Sequence, residues 1–184
     1  MIRRTAIAIW AVLITASILS YLIWPHHFSP DNIASTLRTF ENEALLVYLV
    51  ISTFRGFTLL PSTPLILAGS ILFPHRPFLV LAVSIFGILA SSSMIYWFSE
   101  FLGLSGHFEA RKGEAVKRIR TRLERPGGII FVAVWAFFPL VPTDAVCYVA
   151  GSIRMNFPKF IGAIFIGELL LCVLYVFAGN YFLT

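Results

Sequence analysis

The chain has 184 residues, 58% hydrophobic and 12% charged, with a mean hydropathy of +0.86. A water-soluble domain of this size cannot hide that much apolar surface, so the composition excludes an ordinary soluble fold and points to one polytopic membrane domain, residues 1–184. The net charge of +5 is no nucleic-acid footprint: Arg3 and Arg4 flank the first apolar run and seven more basic residues fall between Arg111 and Arg125, where they act as topology determinants.

Residues 5–24 are uncharged and long enough to cross a hydrocarbon core, which predicts a first transmembrane helix; no Ala-x-Ala-like site follows it, so it is read as uncleaved. The polar stretch that follows predicts a short surface helix, capped by Ser29 or Asp31 and running through Glu43, on the side opposite the N-terminus. Residues 45–73 are apolar but carry Arg55, Pro61, Pro64 and Gly69. Residues 78–98 make a clear span, and the small run Ala90-Ser91-Ser92-Ser93 within it suits close helix packing. Residues 108–125 predict a cytoplasmic amphipathic helix with Val116, Ile119 and Leu123 on one face, stopped by Pro126-Gly127-Gly128. Residues 129–153 are a second apolar stretch broken by Pro139 and Pro142, and residues 158–182 form the last span.

The two broken stretches echo each other. Pro61-Ser-Thr-Pro64 precedes Ala68-Gly69-Ser70-Ile71, and Pro139-Leu-Val-Pro142 precedes Ala150-Gly151-Ser152-Ile153. Paired prolines remove amide donors and break helices, and irregular backbone at membrane depth survives only where it is buried in protein or lines a polar cavity. Charge counting then sets the topology. With both basic clusters cytoplasmic, residues 45–73 must cross the membrane twice or not at all, and roughly 29 residues are too few for two spans of about 20 each. Each broken stretch is therefore a re-entrant hairpin, the first entering from outside and the second from the cytoplasm. The fold class that follows is an all-α polytopic membrane protein: an inverted repeat of two re-entrant hairpins, each followed by a transmembrane helix, plus the N-terminal transmembrane helix and the cytoplasmic amphipathic helix.

Three ionisable residues lie in membrane sequence: Arg55, Asp144 and Glu168. An Arg or Asp at a helix centre costs about 2.5–3.5 kcal/mol on insertion scales, so such groups face a cavity or one another. The functional reading has Asp144 and Glu168 exchanging protons while Arg55 attracts an anionic headgroup; the structural reading is an Arg–carboxylate pair that holds the hairpins. Pro61, Pro64, Pro139 and Pro142 break the helices, while Gly69 and Gly151 permit tight turns or close backbone approach. Cys147 and Cys172 sit in apolar sequence and read as small buried residues, and the four histidines show no metal-ligand spacing. No nucleophile triad, P-loop, nucleotide fingerprint or zinc motif is present. An enzyme is therefore disfavoured, and neither cofactor nor metal is expected.

The run Pro139-x-x-Pro142-x-Asp144-x3-Tyr148-x2-Gly151, followed by Phe157 and Phe160, resembles the signature of the DedA superfamily, also called the VTT or SNARE-associated Golgi protein domain. Pro61-x-x-Pro64 to Ala68-Gly69-x3-Phe73 is similar to the matching earlier half, and the resemblance spans about residues 45–179. The short length and the placement of Asp144 resemble the branch typified by yeast late-Golgi Tvp proteins. The resemblance implies two hairpins, to which Tyr148 also belongs, meeting mid-membrane, and a role in proton-linked movement of polyprenyl phosphate carriers or in phospholipid scrambling. One departure stands out: the family often places an arginine three residues before the first proline of the second hairpin, where this chain has Ala136.

The expected function is thus that of a transporter in a bacterial inner (plasma) membrane, multi-pass with a cytoplasmic N-terminus. Its partners would be membrane lipids and protons, with no nucleic acid and with homo-oligomer formation left open. The alternatives are a non-transporting membrane scaffold or assembly factor, and a small-solute or ion transporter.

Overall fold

The computed structural model describes residues 2–101, 114, 116–139 and 142–183, and among them every regular element is helical. The elements are α1 Ile2–Ile23, α2 Pro30–Arg38, α3 Ala44–Phe54, α4 Thr63–Leu72, α5 Pro77–Phe101, α6 116–123, α7 Pro126–Phe137, α8 Thr143–Ser152 and α9 Phe157–Leu183. Helices α5 and α9 are long and apolar enough to cross a membrane.

Local chemistry sets most boundaries. Ser29 caps α2, its hydroxyl accepting from the Asn32 amide at 3.4 Å, and Pro30 occupies the first turn, where a missing N–H costs nothing. The helix does not continue to Glu43 as its sequence suggests. It ends at Arg38, and Glu41, with φ 45°, turns the chain into a short 3-10 segment. The charged stretch 102–113 and residue 115 lie outside the described residues; from 116 to 123 it is helical, with Val116 buried but Ile119 48% exposed rather than sharing a covered face. Pro126 and the two glycines after it do not form a loop. Arg125 is extended and Pro126 opens α7, so the second broken stretch begins three residues earlier than its apolarity suggests. A Cβ on Gly128 would press on the Leu123 backbone, so the corner between α6 and α7 needs a residue without one.

The packing follows an exchange. Helix α3 lies on α5 and α7 on α9, whereas α4 crosses to α9 and α8 crosses to α5. Helices α5 and α9 pack side by side and antiparallel: Phe78, at the start of α5, meets Phe177 late in α9 with ring centroids 5.6 Å apart, while Tyr96 near the end of α5 stacks on Phe160 at 5.4 Å. Glycines permit both helix contacts of the first kind. A Cβ on Gly87 would stand 2.6 Å from Ser52 Cβ of α3, and one on Gly167 would stand 2.7 Å from Ala136 Cβ of α7. Helix α2 covers α4, and α1 touches the 3-10 turn after α3 and donates from Trp10 Nε1 to Tyr148 Oη of α8 at 2.7 Å.

The two ends of the molecule differ. At one end Glu124 Oε1 accepts from Arg120 Nε at 3.0 Å and from the Asn156 amide at 2.9 Å, and Arg154 pairs with Glu100 at 3.2 Å. These bonds join the α6–α7 corner, the α8–α9 corner and the end of α5. Burial opposes ionisation of Glu124, but Arg120 and the Asn156 amide outweigh it and hold the carboxyl below its ordinary 4.5. At the other end Arg38 donates to the Ile71 carbonyl at 3.2 Å, tying α2 to the end of α4. Along the flanks, large apolar side chains such as Val12, Leu22, Phe86, Ile130 and Leu170 stand exposed, as a lipid-facing surface requires.

Candidate functional site

The breaks within α3–α4 and α7–α8 meet in the interior. After Phe54 the chain passes through a 3-10 turn, Arg55–Thr58, and then reverses at Leu59, which adopts the left-handed conformation at φ 58°. That conformation costs a leucine roughly 1–2 kcal/mol. Arg55 braces the reversal: its Nη1 donates to the Leu60 carbonyl at 2.9 Å. The same nitrogen donates to Asp144 Oδ2, also at 2.9 Å, with the two side chains 7% and 2% exposed. Asp144 is the second residue of α8, where a helix N-terminus favours a carboxylate.

Thr143, the first residue of α8, reaches the other way. Its hydroxyl donates to Glu168 Oε1 of α9 at 2.6 Å. Consecutive residues of one helix therefore connect Arg55 on one side with Glu168 on the other. Hydrogen bonds remain to be made around them: among the described residues Arg55 Nη2, Glu168 Oε2 and the hydroxyls of Ser52, Ser91, Ser92 and Thr63 are buried without a partner. Gly56 is essential to this convergence, since a Cβ there would stand 2.7 Å from Asp144 Oδ1 and collide with the Ser91 hydroxyl. One guanidinium and two carboxyls thus form a buried polar cluster among α3, α5, α8 and α9. With both carboxyls ionised it would hold one uncompensated negative charge, which a buried site tolerates poorly.

A cavity of about 360 Å³ adjoins Arg55. Val47 and Ile51 of α3 and Arg55 just after it, each about one turn from the next, line it along about 12 Å of that helix. Its other walls come from Tyr21 at the end of α1, His27 and Phe28, α2, and the segment holding Pro61 and Pro64. The walls are almost wholly apolar, and Arg55 is the one charged residue among them that is buried.

The remaining residues singled out by sequence fall into place around this cluster. Pro64 lies in the first turn of α4, and Pro142 stands extended as the residue capping α8. Pro139 lies in the turn after α7; Leu140 and Val141 are outside the described residues. Gly69 and Gly151 are within α4 and α8 rather than in turns, and a Cβ on Gly151 would strike the Tyr96 carbonyl of α5. Tyr148 is engaged by Trp10 instead. Ala136 is fully buried against Gly167, the neighbour of Glu168, where an arginine side chain has no room. Sequence reasoning did not single out Thr143, Gly56, Ser91 and Ser92 as site residues. Their signal was adjacency for Thr143 and Gly56, which flank Asp144 and Arg55, and a run of small residues for the serines. No group of three or more His, Cys, Asp or Glu converges as a metal site among the described residues.

The family model of the VTT domain matches residues 60–181, which takes in α4 through α9 and stops short of Arg55. No curated protein and no solved structure matches the chain. The matched segment contains both Pro-x-x-Pro elements, both spans and the Asp144–Thr143–Glu168 side of the cluster. By that match the chain belongs to the VTT-domain family, the DedA superfamily.

Proposed function

We propose that this protein moves an anionic lipid or lipid-phosphate carrier across the bilayer with coupled proton movement, and that it is a transporter rather than an enzyme. The observation that carries this reading is the buried convergence of Arg55 and Asp144 with Glu168, bridged by Thr143, at the point where two broken helix pairs meet. Charged groups at membrane depth are costly, and a guanidinium with a free Nη2 supplies an anion site while two carboxyls supply proton carriers.

On this reading α3–α4 and α7–α8 are re-entrant hairpins in an inverted repeat. Two features support it: the antiparallel α5 and α9, and the exchange by which each pair lays one helix on its own span and the other helix on its counterpart's. The end bearing α6 is then cytoplasmic, as is the N-terminus, in a bacterial inner membrane. Candidate substrates are polyprenyl phosphate and phospholipid. A structural reading, in which the Arg55–Asp144 pair only clamps the two pairs together as part of a scaffold, is favoured by its short hydrogen-bonded geometry.

Reconstitution separates the two. Vesicles holding the protein should move a labelled polyprenyl phosphate or phospholipid faster than empty vesicles, with Asp144→Asn slower and Glu168→Gln insensitive to pH. If the wild type moves neither lipid faster than empty vesicles do, the transport reading fails and the scaffold remains.

A further inference from the structure

The cavity along α3 and the incomplete bonding of Arg55 have a joint consequence, which rests on the anion-transport reading above. Arg55 spends Nη1 on Asp144 and on Leu60, and leaves Nη2 without an acceptor. An anion arriving through the cavity would meet this guanidinium. A guanidinium binds a phosphate or sulfonate best through two parallel N–H donors, and here one of those donors is already held by Asp144. Ligand and aspartate therefore compete for the same group.

Charge balance decides how that competition ends. The Arg55–Asp144 pair is neutral as it stands. Adding one anionic headgroup would leave a net negative charge in a buried site that also holds Glu168, and buried unpaired charge is heavily penalised. Adding one proton with the anion returns the balance to its starting value. We propose that the cavity bounded by α1, α2 and α3 is the entry site for a single-chain anionic amphiphile, and that its headgroup displaces Asp144 from Arg55 as Asp144 takes up a proton. The Nη1–H···Oδ2 hydrogen bond breaks, the two guanidinium nitrogens donate to the headgroup, and a proton from solvent goes to the Asp144 carboxyl. Anion and proton thus enter together.

The cavity fits this occupant. At about 360 Å³ it is near the lower end for small-ligand sites, so it accepts one apolar chain rather than two. Tyr21, Leu37, Val47 and Ile51 offer that chain an apolar wall, and Arg55 supplies the complementary charge at the end of α3. The titratable groups around Arg55 and Asp144 are Tyr48 on α3, Cys147 and Tyr148 on α8, and Glu168 and Cys172 on α9; α5 presents serine hydroxyls. His27 also lines the cavity wall.

The test uses the full chain in a neutral detergent and octyl sulfonate, whose charge does not vary between pH 5.5 and 8. Calorimetry should show affinity rising about tenfold or more from pH 8 to pH 5.5, and a pH indicator should register uptake of about one proton per ligand bound; binding and proton uptake are reciprocally linked. Methanesulfonate, the same headgroup without the chain, should not bind in the same range. Asp144→Asn should bind at a pH-independent affinity, while His27→Gln should keep the wild-type dependence. Ile51→Trp, which fills the cavity, should abolish binding while the melting temperature shifts by a few degrees at most.

Equal affinity at both pH values with no proton uptake in the wild type would overturn the proposal, and this arm needs no variant to fold. So would methanesulfonate binding as tightly as octyl sulfonate, loss of the pH dependence in His27→Gln, or full binding by Ile51→Trp. Lipid movement in vesicles combined with pH-flat binding would remove this inference alone and leave the transport reading standing.

Discussion

Arg55 Nη1 and Asp144 Oδ2 lie 2.9 Å apart although 89 positions separate the residues, and each side chain is buried. The bond joins the end of α3 to the first turn of α8, so it links the two broken helix pairs directly. Removing one partner leaves the other charge uncompensated in the interior, which costs about 3–5 kcal/mol. Asp144→Ala and Arg55→Ala should each lower stability by that order in detergent thermal unfolding. The double variant Arg55→Met/Asp144→Leu should be more stable than either single alanine variant. Equal stability of Asp144→Ala and wild type would show that the pair is not closed in solution.

The glycine contacts on α5 and α9 make a matched pair of expectations. Gly87→Val and Gly167→Val would push α3 and α7 off their spans, with overpacking costs of about 1–3 kcal/mol or more. Gly162, on the same helix as Gly167, has open space where its Cβ would be, so Gly162→Ala should be neutral or stabilise by up to about 1 kcal/mol. Melting temperatures of the three variants check both halves of this statement.

Glu124 gives the α6 end of the molecule a defined pH response. Its carboxyl is held below 4.5 when folded, so the stabilisation is present at pH above about 4.5 and is lost as pH falls through the lower folded value. The Asn156 amide, which donates to Glu124, should be protected from hydrogen exchange at neutral pH and lose that protection only in acid. Glu124→Gln should weaken protection at neutral pH and flatten the acid response.

The opposed ends of the molecule can be addressed from solution. His75 is exposed between α4 and α5, and Arg154 is exposed between α8 and α9. In sealed right-side-out vesicles an impermeant thiol reagent should label His75→Cys from outside and Arg154→Cys only after permeabilisation, in a background lacking Cys147 and Cys172. Labelling of both from one side would contradict the inverted arrangement proposed above.

Trp10 anchors α1, most of whose described residues are exposed. Trp10→Phe removes its donation to Tyr148 and should cost about 1 kcal/mol, the usual net worth of such a bond. Tyr148→Phe should cost a similar amount, and the double variant should cost little more than either alone, because the two residues share one interaction.

Much of this arrangement could be read locally. The apolar runs, the prolines that break two of them, the Ser29 cap and the three ionisable residues stranded in apolar sequence all depend on short windows, because membrane insertion and helix breaking are decided by neighbouring residues. The doubled Pro-x-x-Pro and Ala-Gly-Ser-Ile elements were legible by the same means. Their non-equivalence was visible as well: four positions separate Pro64 from Ala68, but eight separate Pro142 from Ala150, about one helical turn more.

What the chain could not state locally is which of these groups meet. That Arg55 pairs with Asp144, that Thr143 rather than a basic residue holds Glu168, and that Ala136 is sealed against Gly167 follow from how α8 crosses to α5 and α7 lies on α9. The cavity that Arg55 lines likewise exists only because α1, α2 and α3 converge there. Residue identity sets the cost of placing a charge in the membrane. Only the tertiary packing determines which partner offsets it, since contacts between helices far apart in sequence leave no mark in a window short enough to read.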